Sequence, residues 1–250
     1  MKLIELANYL DEYLKTAEFE DKSLNGLQVE GREEVATIAL AVDFSRQSVQ
    51  RAQEIGADLL LVHHGLLWAP GYPIVGYRYR RLKMLMETGI ALYATHLPLD
   101  AHPQVGNNAQ LAKKLGLTSL SPFGEYHGRK IGWAGRFSKP KRLKEIERTL
   151  TNLLDGKVSC LSAGKETIST VGLCCGGGGF AYPEAIALGL DLLIVGEPYH
   201  EAYHPALESE LSIIFAGHYA TETLGVKTLG EHLAKKFHLS VQFLDIPTGL

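Results

Sequence analysis

The sequence predicts an α/β protein built from two related halves, and two pairs of matched segments support this. Gly56 to Val62 and Gly189 to Val195 are identical at five of seven positions, and each resembles a buried strand entered from a glycine turn. Further along each half, an apolar run ends in His96 or in His218, and a carboxylate follows four residues later. Similar segments in the same order indicate an internal duplication, and α/β halves bring polar ligands to the carboxyl ends of their strands.

The composition is that of a globular protein without an obvious charged partner. The chain has 250 residues, 46% hydrophobic and 21% charged, which is enough for one large core or two smaller domains. A net charge of -3 gives no reason to expect nucleic-acid binding, although Arg78-Tyr79-Arg80-Arg81 is a local basic patch. The three cysteines lack metal-ligand spacing, and neither a signal peptide nor a membrane-length apolar run is recognisable. We therefore expect a cytoplasmic protein with no membrane partner.

The first half alternates helices and strands, which is typical of a mostly parallel sheet. Leucines and an alanine recur at helical spacing from Leu3 to Leu14, which predicts an opening amphipathic helix. The segment from Gly65 to Tyr77 is rich in Gly, Pro and aromatic residues and predicts an ordered loop over a site. The other predicted elements are a short strand within 25–31, a strand at 37–42, a helix to about 54 capped by Asp43 or Ser45, a strand at 59–62, a helix near 79–87, a strand at 90–95 and a helix to about 115 capped by Asn107 and Asn108.

The second half repeats the alternation after a change in composition. Pro, Gly and polar residues accumulate around Ser121 to Tyr126, which places a first domain at 1–125 and a second at 126–250, with the C-terminal part packing back toward the first. The predicted elements of the second half are a strand at 131–137, a helix at 141–153, strands near 158–161 and 170–175, a helix from Pro183 to about 188, a strand at 191–195, a further helix, a strand ending at His218, a helix through 237 and a strand at 241–246.

Histidines and carboxylates at the strand ends are the candidate chemical residues. The His63-His64 doublet follows a leucine-rich strand and could bind metal, or could consist of buried imidazoles bonded to the backbone. The pairs His96/Asp100 and His218/Glu222 are each four residues apart, a spacing that places both members on one face of a helical turn. Two such pairs together with the doublet favour a metal site. Nitrogen and oxygen ligands without thiolate favour Zn, Mn, Fe or Co, and a carboxylate can bridge two ions.

The remaining motifs leave alternatives open. His200 and His204 are four apart but do not form the metalloprotease pattern, so we expect His204 on a solvated helix face or as a cap and His200 as a possible substrate contact. The Gly176 to Gly179 run favours tight packing at a sheet end over phosphate binding. Cys174 and Cys175 are expected to be small buried residues. Trp68 and Tyr72 could stack on a base or pack the loop.

Several motifs together make the chain resemble a known family, the Nif-three-like proteins, widely labelled GTP cyclohydrolase I type 2 homologues. The resemblance covers nearly the whole chain. The segments that carry it are Asn25-Gly26-Leu27-Gln28-Val29, Asp43, His63-His64-Gly65, His96-Leu97-Pro98-Leu99-Asp100, Asn107, Cys175-Gly176-Gly177 and Gly217-His218-Tyr219-Ala220-Thr221-Glu222. One departure is Gly196-Glu197-Pro198, where Gly-Asp is expected, so the resemblance assigns no role to Glu197.

The resemblance implies two similar, intertwined three-layer α/β/α domains, a dinuclear metal centre with two divalent ions per chain, and a toroidal homohexamer. The metal ligands it implies are His63, His64, Asp100, His218 and Glu222, with Glu222 as the bridge. His96 would lie at the site as a further ligand, as a residue that orients a ligand, or as a proton carrier. His96 and Glu222 are thus the candidate catalytic residues.

The leading functional hypothesis is a metal-dependent hydrolase in which two ions about 3.5–4 Å apart activate water. If the family label applies, the substrate is GTP or a related purine nucleotide, and the reaction is hydrolytic opening of its imidazole ring. Nucleotide phosphoester hydrolysis by the same centre is one alternative. Another is a ring-shaped scaffold or regulatory protein stabilised by metal, although structural zinc sites are usually thiolate-rich.

Overall fold

The computed structural model describes all residues from Met1 to Leu250, and their internal contacts divide the chain into two compact α/β domains. Domain 1 comprises 1–99 and 225–246, and domain 2 comprises 100–224 and 247–250. Segments of the two domains thus alternate along the chain. The sequence analysis placed the boundary at 125, but the contacts divide the chain at Leu99. Residue 125 lies within a strand that pairs with the next strand of the chain in one sheet.

Domain 1 holds a five-stranded sheet with the order β1-β4-β3-β2-β11. Strands β4, β3, β2 and β11 run parallel to one another, and β1 is antiparallel to β4. The core beneath this sheet is built from aliphatic residues of β2, β3 and β4, with Phe44, Val49 and Leu85 packed against them. The elements are α1 (Leu3–Leu14), β1 (Gly26–Val29), β2 (Thr37–Asp43), α2 (Arg46–Glu54), β3 (Leu59–His64), α3 (Gly76–Thr88), β4 (Ala91–Ala94) and β11 (Ser240–Phe243).

Domain 2 holds a six-stranded sheet with the order β5-β6-β8-β9-β10-β7. Strands β8, β9 and β10 are parallel, and β6 and β7 flank them in antiparallel orientation. The elements are α5 (Asn107–Leu115), β5 (Leu117–Tyr126), β6 (Arg129–Arg142), α6 (Leu143–Leu154), β7 (Ser159–Leu161), β8 (Thr167–Cys174), α7 (Tyr182–Ala187), β9 (Leu192–Val195), α8 (Tyr203–Glu208) and β10 (Ser212–Phe215). Two further helices, α4 (Leu97–Ala101) and α9 (His218–Phe237), begin in one domain and end in the other.

The duplication predicted from the sequence is confirmed by the topology. In each domain three consecutive parallel strands, β2-β3-β4 or β8-β9-β10, lie side by side in chain order. In each, the strand that precedes this trio in sequence, β1 or β7, pairs antiparallel with the third member. The matched segments of the sequence correspond to β3 and β9, which are the central strands of the two trios.

The predicted helices and strands are largely present, and the differences have local causes. The opening helix buries all five of its periodic apolar residues, from Leu3 to Leu14. Ser45, and not Asp43, caps α2, because its hydroxyl accepts the N–H of Ser48. β5 was not predicted; most of its side chains are exposed, so its sequence lacks an apolar alternation. No helix of the structure is long and apolar enough to cross a membrane.

Candidate metal centre

Domain 1 brings three imidazoles together at the carboxyl ends of β3 and β4. His63 and His64 are the last two residues of β3, and His96 follows β4 by two residues. One ring nitrogen from each of the three lies within 4.8 Å of the others. His63 is fully buried and His64 is partly buried, so the cluster lies at the boundary between the apolar strand and solvent. The predicted doublet is therefore joined by His96, which the resemblance had assigned to the same site.

Each of these three rings is oriented by a hydrogen bond at Nδ1. The acceptor for His63 is the backbone oxygen of Thr95, at 2.8 Å. Carboxylates accept from the other two rings: Asp43 from His64 at 2.8 Å and Asp21 from His96 at 2.9 Å. A proton held at Nδ1 leaves Nε2 as the electron-pair donor of the neutral ring, which is the usual arrangement in metal-binding histidines.

The loop before β1 supplies the support for His96. Asn25 accepts the backbone N–H of His96 at 2.7 Å and donates to Asp21 at 2.9 Å. Burial alone would raise the pKa of the Asp21 carboxyl, but the hydrogen bond and charge of His96, with help from Asn25 and Ser23, lower it to about 2. Asp21 is therefore ionised at neutral pH and acts as a fixed acceptor beside the imidazole.

Domain 2 groups two carboxylates and one imidazole. Nε2 of His218 lies 3.2 Å from Oε1 of Glu222, one turn further along α9. A carboxylate oxygen of Asp100 lies within 4.8 Å of one from Glu222, and both side chains are buried. The predicted pairing of His218 with Glu222 on one helix face is thus present. His96 and Asp100, which the sequence also predicted as a pair, belong to different domains.

Glu197 orients His218 as Asp43 orients His64. Its Oε2 lies 2.9 Å from Nδ1 of His218. Burial would lower the pKa of His218, but the hydrogen bonds and charges of Glu222 and Glu197 outweigh burial and raise it to about 9. The metal-free ring is therefore protonated at neutral pH, and a metal ion bound at Nε2 would displace one proton.

Asn107 and Asn108 were predicted to cap α5. They instead form hydrogen bonds to Asp100 and its surroundings. Asn107 donates to the Asp100 carboxylate at 2.8 Å. Asn108 donates to backbone oxygens of Asp100 and Ile131 and accepts the N–H of Cys175 at 2.8 Å. α5 has no side-chain cap of its own. These amides fix Asp100 against the strand that leads into the glycine run.

The glycine run packs tightly, as expected. A Cβ added to Gly176, which has a φ of +59°, would lie 2.0 Å from Oε1 of Glu222. A Cβ on Gly179 would lie 2.3 Å from the Cβ of Tyr199. The adjoining Cys174 and Cys175 are buried, and burial, followed by the charge of Asp100, raises the pKa of both thiols far above the usual value. They are packing residues, since a thiol of such high pKa is a poor nucleophile.

Three other residues considered in the sequence analysis are Trp68, Tyr72 and His204. Trp68 donates from Nε1 to the Gly65 oxygen, and its ring meets His96 edge-on at 5.1 Å, so it packs the loop against the site. Tyr72 is exposed and carries the guanidinium of Arg78 over its ring. His204 is exposed on α8, as expected.

The donor set fits a divalent metal. It consists of imidazole nitrogens and carboxylate oxygens, the ligands that suit Zn, Mn, Fe and Co. Two buried carboxylates within 4.8 Å of each other, as Asp100 and Glu222 are, are stabilised by a nearby cation, because like charges in a desolvated setting repel. The four acceptors at Nδ1 fix the orientation of the imidazole rings, as is usual for metal-binding histidines.

Asp21, Asp43 and Glu197 carry functions that the sequence analysis did not assign. Asp43 was considered as a helix cap, and Glu197 had no role. A signal for Glu197 does exist: when the matched segments are aligned, Glu197 falls opposite His64, the second residue beyond the shared valine. No comparable signal marks Asp21, which contacts a residue 75 positions away.

Comparisons with known proteins identify the family of this chain. The model of the Duf34/NIF3 (NGG1p interacting factor 3) family matches residues 1–248. This chain belongs to the Duf34/NIF3 family. A family member from Pyrococcus horikoshii, named GTP cyclohydrolase 1 type 2 homolog, is 50% identical over 98% of both chains. The crystal structure of TTHA1606 from Thermus thermophilus superposes with a TM-score of 0.91 at 44% identity, with both chains fully covered. Protein ybgI, described as of unknown function, superposes with a TM-score of 0.94 at 38% identity, again over both complete chains.

Proposed function

We propose that this protein is a metal-dependent hydrolase whose ligands for two divalent ions are His63, His64, Asp100, His218 and Glu222. The observation that carries the proposal is the hydrogen bonding of the imidazole rings at Nδ1. All four histidines of the two clusters, these three and His96, have Nδ1 bonded to an oxygen acceptor within 2.9 Å. Rings oriented in this way present Nε2 in a fixed direction, an arrangement found around bound metals.

The ligand types favour catalysis over a purely structural role. Structural zinc sites are usually closed and rich in thiolate, whereas burial raises the pKa of all three free cysteines here. Imidazole and carboxylate ligands are typical of hydrolytic centres with positions open to water. Zn, Mn, Fe and Co all suit this set.

Each residue has a separate role in the proposed reaction. Two bound ions would supply an activated water molecule and a Lewis acid that polarises the substrate. Glu222 would bridge them, since its carboxylate is buried and held by His218. His96 would transfer a proton at Nε2, because the hydrogen bond to Asp21 fixes its Nδ1. Asp43 and Glu197 would keep their histidines in place.

The substrate we propose is GTP or a related purine nucleotide, and the reaction is hydrolytic opening of its imidazole ring. The names of curated relatives support this choice, since several carry the words GTP cyclohydrolase 1 type 2 homolog. The family resemblance also supports a toroidal homohexamer, and the three free cysteines support a cytoplasmic location. Mass photometry of the purified protein tests the assembly separately from the chemistry.

The test combines metal content with turnover. Elemental analysis and a GTP ring-opening assay would compare the wild type with His63→Ala and Glu222→Ala at matched folding and oligomeric state. His204→Ala is the matched control, because this histidine is exposed on α8 outside both clusters. We expect about two ions per chain in the wild type and the control, with metal and turnover lost together in both variants.

The other outcomes separate the parts of the proposal. Full metal content in both variants would mean that the ligand assignment is wrong. Loss of metal without any GTP turnover in the wild type would reject the substrate and keep the site. Phosphate release from GTP in place of ring opening would identify a phosphoesterase, and metal loss that dissociates the assembly, with no nucleotide turned over, would identify a scaffold.

A further inference from the structure

We propose that a cavity of domain 2, lined by Tyr199, Tyr203, His200, Phe215, Pro198 and Cys160, binds the planar heteroaromatic ring of a nucleoside. The cavity has a volume of about 460 Å³. This size lies within the usual range of small-molecule sites. The inference deepens the proposed function, on which it rests for the identity of the reaction, by naming where the base would lie.

The position of the cavity is one that α/β sheets use for ligands. Phe215 is the last residue of β10, and Pro198 and Tyr199 lie three and four residues beyond the end of β9. The cavity is therefore at the carboxyl ends of parallel strands, next to the edge strand β7, which contributes Cys160. Ligands of open α/β sheets bind in the crevices outside these strand ends.

The lining is suited to a flat ring and not to a phosphate group. Tyr199 and Tyr203 are 40% and 48% exposed, so part of each aromatic side chain is accessible to a ligand. None of the residues that line the cavity is a lysine or arginine. A few polar groups, His200 and the tyrosine hydroxyls, stand among apolar surface, which is typical of sites that stack and orient an aromatic ligand.

Tyr199 is held in place from behind by the glycine run. The Cα of Gly179 approaches so closely that a Cβ there would lie 2.3 Å from the Cβ of Tyr199. The ring of Tyr182 lies 6.2 Å from that of Tyr199 at an angle of 41°. A supported aromatic ring loses little conformational freedom when a ligand stacks on it.

The same glycine run connects the cavity to the carboxylates of domain 2. Gly176 lies against Glu222, while Gly179 lies against Tyr199, three residues further along the run. Glu197, which orients His218, immediately precedes Pro198 in the cavity wall. A base in the cavity would thus lie beside the glycine run that contacts Glu222 and beside the residue next to Glu197, which orients His218. Cys160 contributes apolar surface, since burial and then Glu147 raise the pKa of its thiol to about 12.

The test uses guanosine, which has the base but no phosphate to bind a metal ion. Isothermal titration calorimetry would compare the wild type with Tyr199→Ala and Tyr203→Ala, with Tyr199→Phe as the variant that keeps the ring. Tyr79→Ala, which removes an equally exposed tyrosine of domain 1, is the control. We expect the dissociation constant to rise about 10- to 100-fold in both cavity alanine variants and to stay within about twofold in the others. Ribose should not bind.

Two results with guanosine would overturn the inference. One is unchanged guanosine affinity in both folded alanine variants. The other is a change in oligomeric state without a change in affinity, which would make the cavity a subunit contact. Failure of the proposed function would look different: guanosine would bind through the tyrosines, metal content would be intact, and GTP would not be turned over. If GTP is turned over and the tyrosine variants leave its KM unchanged, the function stands and the cavity assignment fails.

Discussion

Asp58 and Asp191 make the same set of bonds at equivalent positions of the two domains. Each precedes the central strand of its trio, and each accepts two successive backbone N–H groups through Oδ2, at 2.8–3.0 Å. Each also forms an ion pair through Oδ1, with Arg32 at 3.3 Å or Lys165 at 2.8 Å. The two domains therefore share a structural carboxylate at one end of the central strand, while the residues just beyond its other end differ, with Glu197 in the place of His64.

The Asp191 carboxylate should stabilise the fold in a pH-dependent way. Burial alone would raise its pKa, but Lys165 and the backbone N–H groups of Ser169 and Thr170 outweigh burial and lower it. A lowered pKa means that the stabilisation is complete above the unfolded value of about 4 and is lost as the pH falls through the folded value. We expect Asp191→Asn to lower the free energy of unfolding by about 1–3 kcal/mol at pH 7. Urea unfolding at pH 7 and pH 3 measures this; an equal loss at both values would contradict it. The exposed Asp155→Asn is the control.

Asp43 should influence metal affinity through His64. Replacing Asp43 with Ala removes the acceptor at 2.8 Å and leaves the ring free to rotate or change tautomer. We expect metal affinity to fall about 10- to 100-fold, with the same number of ions bound at saturation. Competition with a chelator of known affinity measures the change. Ser45→Ala is the matched control, because loss of the α2 cap should cost about 1 kcal/mol of stability and leave metal affinity unaltered. Equal affinities in both variants would remove Asp43 from the site.

His96 should affect turnover more than metal content. Glutamine at this position keeps the size of the side chain but cannot carry a proton at neutral pH. We expect His96→Gln to retain two ions per chain and to lower kcat by about 10²- to 10⁴-fold. Elemental analysis and steady-state kinetics on one preparation give both values. A drop to one ion per chain would instead make His96 a ligand.

Gly176 should be irreplaceable because of its contact with Glu222. An alanine there would combine a left-handed backbone with a Cβ 2.0 Å from Oε1 of Glu222. Gly189 has a similar φ of +63° but open space around it, so Gly189→Ala isolates the backbone cost of about 1–2 kcal/mol. We expect both variants to lower the unfolding midpoint and only Gly176→Ala to lower metal content. Equal metal content in the two variants would contradict the contact.

The elements that the sequence predicted are those with a local signal. In α1 the buried apolar residues recur at helical spacing, and in β3 and β10 they form a nearly continuous run. Each of these patterns is visible within the element's own sequence. β5 is different: it pairs with β6 through its backbone while five consecutive side chains are exposed, so its pairing leaves no mark on its own sequence. The change in composition at Ser121 to Tyr126, which suggested a domain boundary, falls within this strand.

The candidate ligands were predictable, and the residues that orient them were not. His63 and His64 stand out because histidines at the end of an apolar strand are unusual in type and position. Asp21 and Asp43 act across 75 and 21 residues of chain, and a carboxylate at either position has plainer local interpretations as a turn or a cap. Only the three-dimensional contact distinguishes a carboxylate that orients a histidine from one that forms a turn or caps a helix, because a carboxylate oxygen can accept a hydrogen bond in all three roles.

The return of residues 225–246 to domain 1 affects how the chain can mature on the ribosome. Folding during synthesis generally proceeds from the amino terminus. Here the domain that begins first lacks one strand until late in synthesis, because β11 must emerge before it can pair with β2. Until then β2 presents an open strand edge, the kind of surface that recruits strands from other nascent chains. A premature stop late in translation would therefore damage the domain encoded at the opposite end of the message.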